Sequence, residues 1–185
     1  MILNVTMTHL INKDFIAFFQ NHHIQCYYTL RVNLKDRIEG RSDTYKINMG
    51  SLYKVSIFKA HMVIYAVEDL NLIDRILKLF NMPYRNITIM HIKAKTYFKS
   101  RSYQIPNSRP SKKALFIKLN PSHAHLYENG KCTLSAYNAI HLIKMYQYVY
   151  LHTDLAIVLK LLFNHKSSWF VTLLFDLYDV ILSKI

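Results

Sequence analysis

Between Arg75 and Tyr127 the chain contains no aspartate or glutamate, yet it carries Arg75, Lys78, Arg85, Lys93, Lys95, Lys99, Arg101, Arg109, Lys112, Lys113 and Lys118. A solvated protein face ordinarily mixes signs, so an acid-free stretch of this length needs a polyanion or a membrane to explain it. Tyr97, Phe98, Tyr103 and Phe116 are interleaved with the cations. That mixture suits nucleic acid, because phosphates take the charges while bases or riboses stack on the rings.

Within this stretch Lys112 and Lys113 enter a short run in which Leu115, Ile117 and Leu119 alternate with Phe116 and Lys118. Alternation of that kind predicts a strand. It empties into Asn120-Pro121-Ser122-His123-Ala124-His125, where Pro121 removes a backbone donor and the polar neighbours favour a turn. The expectation is a basic hairpin over 86–134 with a polar tip. Lys93, Lys95, Lys99, Arg101, Arg109, Lys112, Lys113 and Lys118 would neutralise phosphates, and Ser122, His123, His125 and Tyr127 would make polar or stacking contacts.

The bulk properties agree with an anionic partner. The formal charge is +13, and 51% hydrophobic residues in 185 are enough to bury one core. Three glycines leave no phosphate-cradling loop motif. Cys26 and Cys132 stand far apart, which supplies neither a thiolate zinc site nor a disulfide framework. His22-His23 and the pair His123 and His125 have no third ligand at a recognisable offset, so no metal or other cofactor is expected. No secretory or transit signal is expected at Met1–Leu10, and the apolar tail from Leu155 is broken by Lys160, His165, Lys166, Asp176 and Asp179. No membrane partner and no small-molecule substrate are expected.

Along the chain, 1–50 reads as an N-terminal extension. It holds a short helix, Lys13–Gln20, capped by Asn12, and a strand over Cys26–Val32. Ser51–Val67 is β-rich, and a helix with Ile73, Ile76, Leu77 and Phe80 on one face opens after Asp69 and ends by Pro83. Strand is expected over Asn86–Tyr103, a turn-rich break at Ser108–Ser111, and strand again over Cys132–Tyr148. A helix capped by Thr153 and a β-rich run over Trp169–Tyr178 follow. From Ser51 the order is strand, helix, strand, strand, helix, strand. The predicted fold is therefore α+β, a ferredoxin-like split β-α-β (βαββαβ) domain over 51–180.

Two stretches resemble the small-subunit ribosomal protein S-ten family, uS-ten in the universal nomenclature. Tyr65-Ala66-Val67-Glu68-Asp69-Leu70-Asn71-Leu72-Ile73-Asp74 is similar to the family's first strand end and leucine-rich helix start. Lys112-Lys113-Ala114-Leu115-Phe116-Ile117-Lys118-Leu119 followed by His123 is similar to its two-lysine strand and histidine loop. Leu134–Lys144, the helix from Thr153 and the strand from Trp169 fall at the family's spacing. The tip departs from the pattern, with Asn120-Pro121-Ser122 before His123 and Leu126-Tyr127-Glu128-Asn129-Gly130-Lys131 after it. The resemblance implies a structural, non-enzymatic constituent of the small-subunit head. Its partners would be small-subunit ribosomal RNA and neighbouring ribosomal proteins. AT-rich usage and the extension point to an organelle-encoded protein of the mitochondrial matrix.

Two other readings compete. His123–Leu134 resembles the active-site segment of ubiquitin-conjugating enzymes, with Cys132 as nucleophile, which would require an exposed thiol of lowered pKa. A free-standing RNA-binding protein would share every electrostatic feature.

Overall fold

The computed structural model describes residues 11–40, 42–49, 51–98, 105–111 and 114–155, without the side chains of 154 and 155. Helix α1 (Lys13–Asn21) starts where the Asn12 side chain accepts a hydrogen bond from the Asp14 amide. It buries Phe19, with Phe15, Ile16 and Phe18 packed beside it. Strand β1 (Gln25–Leu34) follows with strict alternation, its even-numbered residues buried and its odd-numbered ones open or half-open. A meander of β2 (Asp43–Asn48), β3 (Leu52–Ile57) and β4 (His61–Val67) leads to α2 (Leu72–Phe80), which buries Ile73, Ile76 and Leu77. Left-handed Asn81 ends α2 before Pro83.

The second half repeats this plan. Strand β5 (Tyr84–Tyr97) is followed by β6 (Ser108–Ser111), β7 (Ala114–Leu119), β8 (Ser122–Tyr127), β9 (Lys131–Ala136) and α3 (Ala139–Tyr150). A single π-helical turn, Leu151–Leu155, extends α3. All nine strands form one antiparallel sheet in the order β2-β3-β4-β1-β5-β9-β8-β7-β6. In each half a leading strand, β1 or β5, is followed by strands that return hairpin by hairpin until the last one, β4 or β9, pairs with the leader, and a helix comes next. The halves join along β1 and β5, from Gln25 opposite Lys95 to Leu34 opposite Tyr84.

The core lies on one face of this sheet. Leu30, Val32, Val55, Ile64, Ile92, Leu134 and Ile117 point to that face and are sealed from solvent together with Ile76 of α2 and Leu142, Met145 and Val149 of α3. At about 25 cal/mol per Å² of apolar surface removed from water, burial of this stripe is the main force holding the nine strands in register. Irregularities fall where the leading strands meet their neighbours. Left-handed Ala66 lies where the β1–β4 register shifts, and the β1–β5 register shifts at Thr29/Leu30.

This architecture corrects the ferredoxin-like expectation, whose four-stranded sheet is replaced by nine strands in two topologically similar halves. Local readings explain the difference. The segment expected as an extension supplies β1, which sits at the middle of the sheet with Leu30 and Val32 fully buried. The expected hairpin over 86–134 contains β5 through β9, and these lie flush in the sheet without projecting from it. Cys132–Tyr148 is strand only to Ala136. Asn138 then accepts a hydrogen bond from the His141 amide and starts α3, so Ile140 and Ile143 belong to a helix. Ser108–Ser111, expected as a break, is the edge strand β6, where Pro110 costs no ladder hydrogen bond. Thr153 lies inside the π-helical turn, where its hydroxyl donates back to the Val149 carbonyl at 2.7 Å, and the helix expected after it lies outside the described residues. Trp169–Tyr178 lies outside the described residues.

Candidate nucleic-acid interface

Because the helices cover one face, the other face of the sheet is defined by register alone. Arg31 lies opposite Val63 and Thr88, Lys54 opposite Lys46 and Tyr65, and Lys93 opposite Tyr27 and Ser135. His123 lies opposite Lys118 and Ser135, His125 opposite Phe116 and Thr133, and Arg109 opposite Phe116. These positions share one face because partners in a ladder project to the same side. The open face thus displays Lys46, Lys54, Arg31, Lys93, Lys95, Lys131, Lys118 and Arg109. Asp43 is the one acidic residue in any of the nine strands, and its pairing with Ile57 puts it on the helix side. Every formal charge that the strands present on the open face is positive.

The rings of this face are placed among the cations. The Lys95 ammonium lies 4.5 Å from the centre of the Tyr27 ring and donates to its hydroxyl at 3.2 Å. Lys54 sits 5.0 Å from the centre of Tyr65, and the Arg109 guanidinium 5.0 Å from that of Phe116. Each pair gives a rigid apolar plate edged by charge, an arrangement that takes a base on the ring and a phosphate on the cation. Tyr97, at the end of β5, is 66% exposed and free to stack.

The expected contact residues divide as follows. Lys93, Lys95, Arg109, Lys118, His123, His125 and Tyr127 come together on the open face. Ser122 does not. It is buried at the start of β8 and donates to the His141 carbonyl of α3 at 3.2 Å, so it ties the sheet to the helix layer. Lys99, Arg101, Lys112 and Lys113 lie outside the described residues. Arg31, Lys46, Lys54, Lys131, His91, Tyr27 and Tyr65 join the face unannounced. Their signal was available in β1, where Tyr27, Thr29, Arg31 and Asn33 alternate with the apolar positions.

His91 and His123 of the face have pKa values below the ordinary imidazole range, as does His61 beside Arg31. Partial burial is the largest cause in each. Lys93 adds to the effect at His91, and His125 with His91 adds to it at His123. Cys132 is fully buried among core residues, and burial pushes its thiol up to about 12; Cys26 is likewise raised to about 12. A thiol so placed is a small core residue and lacks the exposure and lowered pKa that a nucleophile requires. Among the described residues no cluster of three or more histidine, cysteine or acidic side chains is placed to hold a metal ion. None of the described helices is long and apolar enough to cross a membrane. No protein-family model and no curated protein matches the chain.

Proposed function

We propose that the chain binds folded RNA across the open face of its sheet. The observation that carries this reading is the sorting of charge: strands that contain a single acid place it behind the sheet and put their cations in front. Nine strands about 4.8 Å apart span about 38 Å, which matches a stretch of polynucleotide backbone and exceeds any single small ligand. Cation-edged rings favour RNA with unstacked bases over a uniform duplex. Binding of this kind fixes position by charge and shape and needs no base code.

A binding assay with a labelled structured RNA over a range of salt tests it. Affinity should fall linearly with salt on logarithmic axes. The combined variant Lys93→Gln, Lys95→Gln, Arg109→Gln and Lys118→Gln should flatten that slope by about three, at about 0.7 to 0.9 per phosphate contact removed. An unchanged slope in a folded variant overturns the reading.

The finer assignment, to the small subunit of a mitochondrial ribosome with ribosomal proteins as neighbours, draws on the two-lysine stretch and the acid-free segment. Its sheet plan is not the one that resemblance implied, so the RNA-binding reading stands without it. Co-sedimentation with small subunits at high salt separates this assignment from a free-standing RNA binder, because a loose binder dissociates there.

A further inference from the structure

Past Lys131, strand β9 presents only short side chains, Thr133 and Ser135, to the open face, while the strands on either side present long ones. The result is a trough of about 320 Å³ between β5 and β8, walled by His91 and Lys93 on one side and by His123 and His125 on the other. His91 Nε2 and the Ser135 hydroxyl share a hydrogen bond of 2.6 Å, which holds that ring against the trough floor. The His123 and His125 rings stand 5.7 Å apart, edge to face, and both lean on Phe116. Three imidazoles are thus fixed around one small polar recess.

The charges that face this recess have one sign. Lys93 of β5 lines it, Lys118 of β7 stands next to His123 in the ladder, and Arg109 of β6 lies behind Phe116. Tyr127 of β8 also lines it, and the Tyr137 ring, just past β9, meets that of His91 edge to face. Strand β1 brings Tyr27 and Thr29 beside Lys93 and His91. No carboxylate reaches the recess from any of these strands. In such company the charged forms of His91 and His123 are disfavoured until an anion joins them, and an anion then favours those forms.

We propose that this trough is a phosphate subsite, in which imidazole N–H groups and the Lys93 ammonium hold a backbone phosphate of the bound RNA, and His91 and His123 take up protons as it arrives. The proposal rests on the RNA-binding reading and deepens it by making affinity depend on pH. Its sign follows from linkage. Free His91 and His123 titrate below the ordinary imidazole range and, with the phosphate bound, above those free values, so binding tightens as pH falls through that window and gains nothing further below it.

The test measures the affinity of a labelled RNA hairpin, at fixed salt, from about pH 8 to about pH 5.5. The native chain should bind about tenfold more tightly at the acid end. The variant His91→Gln, His123→Gln, His125→Gln should bind with a nearly flat profile. As a check that needs no variant, the heat of binding near pH 6.5 should differ between two buffers of different ionisation enthalpy, in the direction of proton uptake. Binding with a flat profile and equal heats overturns the subsite while leaving RNA binding intact. Absence of binding at every pH overturns both.

Discussion

The two faces of the sheet share the same strands and have opposite chemistry. On the helix side Leu30, Ile64, Ile92 and Leu134 are sealed, and both thiols are held too far from water to ionise readily. On the open side their immediate neighbours along the chain, Arg31, Lys93 and Ser135 among them, stay in contact with solvent. Alternating side chains allow one strand to serve both purposes, core on one side and cation array on the other. The comparison teaches that stability and binding in this molecule are separable residue by residue.

Adjacent residues of β1 offer the sharpest way to break that comparison. Leu30→Ala should lower the unfolding free energy by about 2 to 5 kcal/mol, because a fully buried side chain leaves a cavity at the middle of the sheet. Arg31→Gln, one residue on, should stay within about 0.5 kcal/mol of the native chain in the same denaturant titration while weakening RNA binding. Equal destabilisation by both would mean that the faces are not separable.

A smaller effect is expected at the β8–β9 turn. Gly130 has a φ of +82°, and a Cβ there would run into the Phe98 carbonyl oxygen, so Gly130→Ala combines left-handed strain with a clash against backbone. A loss of about 1 to 3 kcal/mol on denaturant unfolding is predicted. The turn also sets the pairing of β5 with β9, through the Phe98 amide donating to the Gly130 carbonyl at 2.9 Å. The same substitution should therefore disturb the β9 side of the open face. The smallest effect belongs to Asn138→Ala, which removes the α3 cap and should cost about 1 kcal/mol with RNA binding unaltered.

Much of the local structure was legible in the residues. Asn12 announced α1, the spacing of Ile73, Ile76 and Leu77 announced α2, and alternation announced β1, β5 and β7. The topology was not legible, for identifiable reasons. A one-sided alternation tells which residues face a core but not which strand lies alongside, and β1 read alone has nothing that marks it as central. The strand β9 and the helix α3 are separated by only Tyr137 and Asn138, so Leu134, Ala136, Ile140 and Ile143 formed one apparent pattern. For the site, the cations of the second half were visible as an acid-free run. Those of the first half, Arg31, Lys46 and Lys54, stood among acids in sequence, and only the register lifts them onto the same face. Ser122 shows the converse, a residue that looked like a contact point and proved to be a tether between layers.

Lysine acylation of the native chain with and without saturating structured RNA tests the central claim most directly, since every lysine reports separately by mass. RNA should shield Lys46, Lys54, Lys93, Lys95, Lys118 and Lys131 on the open face, while Lys13 of α1 and Lys78 of α2 react at unchanged rates. Shielding of Lys13 and Lys78 with the sheet lysines left reactive would contradict the account.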